Sequence, residues 1–478
     1  MLTADEARSG FGRQQAAKLE CPLCSADDVG YEFVLERVAF SLCQGCGLLF
    51  GNRLRLANAR TTSDPNDGAA IEALIPVVAK YARHVPERCV LIGSMEAHVA
   101  GLEVRELGSL ASGELFDAIF LLRTLEGEAN PAELLCDLSK HLSLNGTLVL
   151  LAPSTASAAA RSQRNAWGAL RSGRYFFSPD NLQLLATRCE LGEFISFIDA
   201  QDLGCGSNEG LERWFRSNMA LLCRPVRRNS PRLLSVIFPV FNEAATVETS
   251  LIRVLNKEIP DVDIEVVIVE SNSTDGSRAI VEKYRDHDRV RLVLEDRPRG
   301  KGFAVRIGLQ HARGDVILFQ DADLEYDVED YDELVSPLFE LRRNFILGSR
   351  HNARGEAWKI RHFAEQPGVS TLANMAHVVL LKMFNTIYKQ RLRDPFTMYK
   401  VFRRDCLYGL TFECNRFDFD FEINIKLLRK GYQPTEIPVN YNSRSFTEGK
   451  KVSFFADPPT WVRAMVKLRR TVLYRHIV

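Results

Sequence analysis

The sequence predicts a protein of the α/β class with two Rossmann-like domains, preceded by a small cysteine-rich module. Three observations lead to this prediction. Apolar strand-like segments alternate with helix-like segments twice along the chain, which is typical of parallel sheets covered by helices. A segment with two prolines and four arginines, CRPVRRNSPR at 223–232, separates the two alternations. Two CxxC pairs precede the first alternation.

The bulk composition is that of an ordinary globular protein. The chain has 478 residues, enough for two or three domains, with 46% hydrophobic and 26% charged residues. Because the net charge is zero, bulk charge predicts no nucleic-acid partner. The opening stretch lacks the pattern of a secretory leader, and the apolar runs are shorter than the roughly 20 residues of a membrane-spanning helix. We therefore expect a cytoplasmic protein, either soluble or peripheral on the inner membrane face.

The two CxxC pairs predict a structural zinc site. Cys21 and Cys24 lie in CPLC, and Cys43 and Cys46 lie in CQGC, with eighteen residues between the pairs. Each pair places two thiolates on one turn, and two such turns complete a tetrahedral site. Two disulfides or a chance pattern are the alternatives, and a reducing cytosol disfavours disulfides. We predict a zinc knuckle over residues 18–50.

The first alternation predicts a domain over residues 51–222. CVLIGS at 89–94, FDAIFLL at 116–122 and GTLVLLAPS at 146–154 are typical of buried strands. NPAELLCDLSKHL at 130–142 predicts a helix with a proline in its first turn, where proline is favoured.

The second alternation predicts a domain over residues 233–452. Strands are predicted at 233–243, 264–271, 290–296 and 315–320, and helical patterns lie between them. Ligands of open α/β sheets bind beyond the carboxyl ends of the strands. The residues that follow these strands are therefore candidates for a functional site.

Carboxylates follow the last of these strands. Asp321 and Asp323 occupy alternate positions in DVILFQDADLEYD, so they would share one side if the extended conformation continued. Like charges this close repel each other, and aspartate oxygens suit Mg²⁺ or Mn²⁺ carrying a diphosphate. A solvated acidic loop is the alternative.

A basic, glycine-rich loop lies just upstream. RPRGKG at 297–302 opens a predicted helix, and the backbone N–H groups of a helix N-terminus favour phosphate. Arg299 and Lys301 add positive charge. Taken alone, the loop fits an ordinary turn equally well.

Together these motifs resemble the family 2 glycosyltransferases, which have the GT-A fold. LLSVIFPVFNEAATV, IVESNSTDGS, RGKGFAVRIGL and DADLEY occur in the order and spacing of that family. Dolichyl- and polyprenyl-phosphate glycosyltransferases look most similar. The resemblance implies an inverting enzyme with a nucleotide-sugar donor and a lipid-phosphate or glycan acceptor. It implies that Pro239, Asn242 and Glu243 lie by the nucleotide, that Asp321, Asp323 and Glu325 surround the metal, and that Arg444, Lys450 and Lys451 handle donor diphosphate or acceptor phosphate. Glu270, Ser271 and Lys301 are further candidates for donor binding.

Two positions depart from the pattern of the family. Relatives commonly carry paired aspartates where this chain has Glu270 and Ser271, which leaves the choice between UDP and GDP open. Mannosyl relatives tend to have glutamine at the position of Glu325, so the metal site here has one more negative charge.

The acidic segment NRFDFDFEINIKLL at 415–428 could supply a general base. A lipid phosphate is already anionic and needs no strong base, whereas a sugar hydroxyl needs a carboxylate. The predicted catalytic residues are Asp321, Asp323, Asp420 and Glu422. For Asp420 and Glu422, the alternative is that they are ordinary acidic residues at a helix N-terminus, where negative charge is favoured.

The first half has its own resemblance, over about residues 18–222. The cysteine pairs and the α/β segment after them resemble zinc-knuckle class I methyltransferases that use S-adenosylmethionine. Such enzymes need a glycine-rich turn after the first strand, where backbone approaches the cofactor. Here MEAHVAGL follows with no GxG. We therefore predict a degenerate, inactive domain that serves as a scaffold or partner surface, with retained methyl transfer as the alternative.

The last segment, 458–478, predicts a basic amphipathic helix. Trp461, Met465, Leu468 and Val472 lean to one side of it. Such a helix can lie on an anionic membrane, and packing on the protein itself is the alternative.

Three functions compete for the whole chain. A glycosyltransferase is favoured, because the acidic, glycine-rich and basic segments occur together. A non-catalytic scaffold or binding protein built from two inactive domains would not need all three. A methyltransferase whose second half merely docks substrate is disfavoured by the missing GxG.

Overall fold

The computed structural model describes residues 20–35, 38–51, 64–93, 99, 102–106, 108–155, 175–204, 208–226, 232–351, 367–443 and 457–474. Arg444, Lys450 and Lys451, which the sequence assigns to the donor, lie outside the described residues.

The strands and helices are numbered here in chain order. The strands are β1 Val29–Leu35, β2 Val38–Cys43, β3 Leu49–Gly51, β4 Cys89–Ile92, β5 Glu103–Arg105, β6 Phe116–Leu122, β7 Leu142–Pro153, β8 Tyr175–Phe176, β9 Leu191–Phe197, β10 Asn218–Pro225, β11 Leu233–Val240, β12 Asp263–Glu270, β13 Val290–Leu294, β14 Val316–Phe319, β15 Phe345–Ser349, β16 Lys400–Arg403 and β17 Thr435–Pro438. The helices are α1 Asp67–Ala82, α2 Pro131–Lys140, α3 Pro179–Arg188, α4 Glu209–Phe215, α5 Val247–Leu255, α6 Ser277–Glu282, α7 Lys301–His311, α8 Tyr331–Phe339, α9 Pro367–Tyr388, α10 Phe419–Arg429 and α11 Asp457–Arg470.

Within the described residues, the strands form sheets of four, six and seven strands. The small sheet has the order β1-β2-β3-β8 and is antiparallel. It joins the cysteine module to β8, which comes from far along the chain. The predicted boundary near residue 50 therefore does not separate two independent sheets.

The six-stranded sheet has the order β5-β4-β6-β7-β10-β9. Its first four strands are parallel, and β10 runs antiparallel between β7 and β9. The predicted strand at 116–122 and the helix near 130–142 are both present. In that helix the Asn130 side chain accepts a hydrogen bond from the Glu133 N–H, and Pro131 opens the first turn, which is a typical helix start.

The seven-stranded sheet has the order β13-β12-β11-β14-β16-β15-β17. Its parallel half contains the predicted strands. The central residues of β11, β12 and β14 are almost completely buried, whereas β13 at the edge of the sheet is only partly buried. Near-continuous apolar runs are typical of parallel strands covered on both faces. The strand β16 runs antiparallel to both β14 and β15. The sequence analysis identified no strand after β14.

The two large domains pack against each other through buried contacts. The Asn344 side chain donates to Asp180 at 2.6 Å, and Arg429 pairs with Asp202 at 2.6 Å. Leu473 and Tyr474, at the end of the described chain, join a hydrophobic cluster of the first domain.

Candidate active site

The carboxylates after β14 lie in a turn at the carboxyl edge of the seven-stranded sheet. The strand ends at Phe319, and residues 322–324 form a turn in which Leu324 has a φ of 62°. The extended conformation therefore does not continue through Asp321 and Asp323, so the condition under which they would share one side is not met. The turn closes when an Asp323 carboxylate oxygen accepts a hydrogen bond from the Glu325 N–H at 3.2 Å.

Lys301 forms an ion pair with the first of these carboxylates. Its Nζ lies 2.6 Å from Oδ2 of Asp321, and both side chains are mostly buried. Burial alone would lower the pKa of Lys301, but the negative charges of Asp321 and Asp420 outweigh it and raise the pKa above its usual value. The ammonium group is thus held positive at the edge of the acidic turn.

The glycines on either side of Lys301 allow this close approach. Gly300 has a φ of +101°, and a Cβ at Gly302 would lie 2.5 Å from the Cβ of Phe419. Phe303 donates its N–H to the carbonyl of Asn415 at 3.0 Å. The loop that precedes α10 therefore packs directly against the N-terminus of α7.

Asp420 in the first turn of α10 faces the same site. Its Oδ1 lies 3.4 Å from Nζ of Lys400, a lysine that is 0% exposed. Lys400 also donates a hydrogen bond to the carbonyl of Thr397. Burial lowers the pKa of Lys400, although the charge of Asp420 opposes the shift. The sequence analysis missed this lysine, and its place within the apolar run MYKVF was the available signal.

Glu422 has a different role from the predicted catalytic one. It is completely buried, and its carboxylate accepts hydrogen bonds from the N–H groups of Glu413 and Cys414 at 2.8–3.0 Å. It also pairs with Lys426 at 2.6 Å. Residues two apart on a helix point about 200° apart, so Asp420 and Glu422 cannot face one site. The contacts of Glu422 correct that prediction and indicate a structural role.

The residues expected at the nucleotide lie where β11 and β12 end. Asn242 has a φ of 50°, and its side chain accepts from the Thr274 N–H at 2.9 Å. The Glu243 N–H donates to the Ser277 hydroxyl at 2.8 Å. Pro239 lies one residue before the end of β11, opposite Val269. These contacts join the loops after the two strands into one edge.

Glu270 and Ser271 both have partners in this edge. The buried carboxylate of Glu270 accepts from the Ser273 N–H at 2.6 Å and pairs with Arg278. Ser271 donates its hydroxyl to Glu295 at 2.5 Å. A buried glutamate from the end of β13 thus lies beside the serine that replaces the family's aspartate.

Glu325 is held at the other side of the acidic turn. Its Oε2 accepts a hydrogen bond from the Tyr441 hydroxyl at 2.9 Å. Nearby, Arg350 and Asp394 form a buried bidentate pair at 2.7 and 2.8 Å, and the Arg350 guanidinium lies 5.4 Å from the centre of the Tyr441 ring. The charge of Arg350 outweighs burial and holds the pKa of Asp394 well below its usual range.

The acidic turn carries residue types that suit a hard divalent cation. Asp321, Asp323 and Glu325 lie within one five-residue stretch, and carboxylate oxygens suit Mg²⁺ or Mn²⁺. Among the described residues their carboxylates do not come together as a group of three that could hold a metal ion, whereas the four cysteines of the N-terminal module do. Lys301 already places one positive charge on this turn.

The four cysteines of the N-terminal module form a compact cluster that can hold a metal ion. Their Sγ atoms lie within 4.8 Å of one another, with Cys21 and Cys46 at 3.5 Å and Cys24 and Cys43 at 3.5 Å. These separations are too long for disulfides. A tetrahedral site with metal–sulfur bonds of about 2.3 Å has sulfur–sulfur edges of about 3.8 Å. The Cys46 N–H also donates to the Cys43 sulfur at 3.3 Å.

The last helix packs on the protein. Trp461 stacks on Phe421 at 5.5 Å, and Met465 and Leu468 are buried in the cluster between α9, α10 and α11. The apolar side that the sequence assigned to a membrane therefore faces the protein, as the alternative interpretation held. Val462 and Val466 on another side of α11 are exposed.

The crevice of the first domain, at the carboxyl ends of β4 and β6, contains an ion pair. Arg123 lies at the end of β6 and contacts Asp67 at 3.2 Å and Asn218 at 2.9 Å. Trp214 donates its ring N–H to Asp67 at 2.7 Å. A Cβ at Gly93 would lie 2.6 Å from the carbonyl oxygen of Leu122, so the two strand ends also approach each other closely.

The site after β14 lies inside a segment with a known family pattern. Residues 235–407 match the family model "Glycosyl transferase family 2". Residues 235–407 thus carry a glycosyltransferase family 2 domain, and the matches support an enzyme of the glycosyltransferase class. This confirms the family resemblance for that segment.

Curated relatives match the glycosyltransferase domain. The chain is 27% identical to glycosyltransferase AglD of Haloferax volcanii over 221 residues, which are 45% of this chain and 34% of that protein. It is 26% identical over 265 residues to dolichyl-phosphate beta-glucosyltransferase of Saccharomyces cerevisiae, covering 50% of this chain and 75% of that protein. The match spans about a third of AglD.

Solved structures cover a similar share. Glucosyl-3-phosphoglycerate synthase from Mycobacterium tuberculosis, in complex with phosphoglyceric acid, is 20% identical, with a TM-score of 0.37 and coverage of 50% of this chain and 80% of that chain. Among the described residues, every helix is too short or too polar to cross a bilayer.

Proposed function

We propose that this protein is a metal-dependent, inverting glycosyltransferase that moves a sugar from a nucleoside-diphosphate donor to a polyprenyl phosphate or a glycan. One observation carries the proposal. Lys301 and Asp420 converge with the acidic turn of Asp321 and Asp323 at the carboxyl edge of β14, within the segment that matches the family.

The catalytic cation would bind to Asp321, Asp323 and Glu325. A bound Mg²⁺ or Mn²⁺ stabilises negative charge on a leaving diphosphate. Lys301 would hold the same diphosphate from the N-terminus of α7, where backbone N–H groups also favour phosphate. We assign the nucleoside to the edge formed by Asn242, Glu270 and Ser271, with Arg444, Lys450 and Lys451 as further candidates for the phosphates.

We assign the acceptor side of the site to Asp420. If the acceptor is a sugar hydroxyl, this carboxylate would take its proton, and Lys400 would orient it. If the acceptor is a lipid phosphate, no base is required, and the cationic Lys301 and Lys400 would favour the anion. The matches to dolichyl-phosphate glucosyltransferases at 25–26% identity support the lipid phosphate.

We further propose that the four-cysteine cluster binds one structural Zn²⁺. Thiolates suit zinc, and the cluster connects β2 to the turn that enters β1. Zinc would therefore hold the small sheet together.

The first domain would be a degenerate methyltransferase-like scaffold. The parallel strands with antiparallel β10 between β7 and β9 support the likeness to that class. The Arg123–Asp67 ion pair supports loss of the cofactor, because it lies in the crevice where open α/β sheets bind ligands. We propose a cytoplasmic location, with peripheral contact to the inner membrane face through the exposed Val462 and Val466 and the neighbouring arginines of α11.

The test is release of nucleoside diphosphate from a panel of nucleotide sugars, with and without Mn²⁺, first without acceptor and then with polyprenyl phosphate or oligosaccharides. We expect Mn²⁺-dependent turnover that increases with one acceptor class. A surface substitution, Glu329→Gln, is the matched control, because the Glu329 side chain is 69% exposed and its ion pair is with Lys257, away from the acidic turn. No turnover with any donor would contradict the proposal and favour a non-catalytic scaffold.

A further inference from the structure

Helix α10 reaches from the candidate active site to the first domain. Its first turn carries Asp420 beside Lys400, and the loop before it packs on the glycines that flank Lys301. Its last residue, Arg429, contacts the first domain. At 1.5 Å per residue, the eleven residues of the helix span about 16 Å, so one rigid element joins the two places.

Arg429 is the centre of a buried hub between the domains. Its guanidinium pairs with Asp202 of the first domain at 2.6 Å and donates to the carbonyls of Leu468 and Thr471. Asp202 is 2% exposed and also accepts from the Leu473 N–H at 3.2 Å. We call these residues the interdomain hub. It holds the end of α10, the end of α11 and the first domain in one arrangement.

The residues after Arg429 extend the contact. The hydroxyl of Ser196 donates to the carbonyl of Lys430, and the hydroxyl of Tyr432 donates to the Gln183 side chain. Tyr474, from the end of the chain, packs edge-on against Phe197 at 5.2 Å. These groups are buried, and a buried polar group that loses its partner is costly. The position of α10 on the first domain is therefore well defined.

The other end of α10 has little room to move without disturbing the site. A Cβ at Gly302 would lie 2.5 Å from Phe419 and 2.7 Å from the Arg416 carbonyl. Arg306 of α7 bonds to the Asn415 side chain at 2.7 Å. A shift of α10 would move Asp420 and the loop of Lys301 together.

We infer that Asp202 and Arg429 are positioning residues for sugar transfer, and that the first domain acts as the fixed support that places α10 at the active site. This inference rests on the proposed function for its activity readout. It assigns the first domain a direct part in transfer, beyond the scaffold or partner surface that the sequence suggested.

The test uses the full-length chain and two measurements. Asp202→Asn preserves shape and removes the charge that Arg429 faces. We expect kcat to fall on the order of tenfold or more, because displacement of a catalytic group by about 1 Å can cost 10²-fold. We also expect faster amide hydrogen exchange over residues 415–422. The control is Arg188→Ala, which removes an exposed contact to the Leu341 carbonyl across the same domain boundary without touching α10.

If Asp202→Asn does not fold, Gln183→Leu tests the neighbouring interdomain contact of the segment after α10, because it removes the acceptor of the Tyr432 hydroxyl. A folded Asp202→Asn variant with wild-type kcat and wild-type hydrogen exchange would overturn the inference. The inference would also be overturned if Arg188→Ala lowered kcat as much as Asp202→Asn does. The exchange measurement needs no turnover. If the wild-type protein shows no sugar transfer, the proposed function is refuted. The comparison of amide hydrogen exchange over residues 415–422 would still decide whether Asp202 and Arg429 position α10.

Discussion

A buried carboxyl group in the first domain should make the stability of the protein depend on pH. Glu126 is 3% exposed, and within the described structure neither of its carboxylate oxygens has a hydrogen-bond partner. Burial raises its pKa from 4.5 to about 7, with the nearby Arg123 opposing and Asp67 adding to the shift. A folded chain therefore keeps a proton between pH 4.5 and 7 that an unfolded chain releases.

The sign and size follow from proton linkage. Because the folded state binds more protons in this window, the free energy of unfolding decreases as pH rises from 4.5 through 7 and is flat above it. Raising the pKa of Glu126 from 4.5 to about 7 corresponds to about 3 kcal/mol in the free energy of unfolding. Glu126→Gln keeps the shape and remains neutral, so the variant should be more stable than the wild type at pH 8 by up to about 3 kcal/mol.

Urea unfolding of the wild type, Glu126→Gln and the control Glu128→Gln at pH 4.5, 6 and 8 measures this difference. The gain of Glu126→Gln over the wild type should increase with pH, while Glu128→Gln should follow the wild type. A gain that is the same at all three pH values would refute the reasoning, because it would show that Glu126 has the same proton affinity folded and unfolded.

Three further predictions concern the metal, the diphosphate and α10. Metal analysis of the purified protein should find about one zinc per chain, and the Cys43→Ser variant should contain none. The absence of zinc from wild-type protein that was never exposed to a chelator would contradict the assignment. Lys301→Gln should lower turnover on the order of 10²-fold or more, because it removes a preorganised electrostatic contact. Circular dichroism should show that the variant keeps its fold. Near-wild-type turnover would show that Lys301 has no part in the site. Glu422→Gln should lower the free energy of unfolding by roughly 3 kcal/mol or more, since it leaves Lys426 buried without its counter-charge. Wild-type stability in urea together with a lost acidic limb in the pH–rate profile would restore Glu422 as the base.

The central parallel strands could be predicted from the sequence because they are apolar on both faces, whereas the short, polar edge strand β5 could not. The segments FDAIFLL and DVILFQ each predicted a strand, and the observed bounds lie within about one residue of the predicted ones. Strand β16 was missed because its pairing with β14 and β15 joins distant segments, and no local period reports such pairing. Lys400, the first residue of β16, was not predicted for the same reason.

The candidate site was predicted in part. Asp321, Lys301 and Asp420 converge as carboxylate and basic motifs suggested, and their role in transfer stays a proposal. Glu422 was misassigned because alternate spacing was taken as a shared side, although the segment is helical. The sequence left open whether the apolar side of the last helix faces a membrane or the protein, because amphipathic spacing is the same whether the partner is a lipid surface or α10.

The contacts between the domains could not be predicted. Asp202, Gln183 and Ser196 stand in ordinary stretches of the sequence, and their partners Arg429, Tyr432 and Lys430 are more than two hundred residues away. Only the fold brings them together.

The metal-bound diphosphate at the acidic turn is the central claim, and Mn²⁺-dependent turnover of Asp323→Asn tests it most directly. The wild type, Asp323→Asn and the control Glu329→Gln would be titrated with Mn²⁺ while release of nucleoside diphosphate is followed. We expect Asp323→Asn to lose on the order of 10²–10³ in rate and to need more Mn²⁺, with Glu329→Gln unchanged. Near-wild-type turnover with the same Mn²⁺ dependence would show that the acidic turn is only a solvated loop.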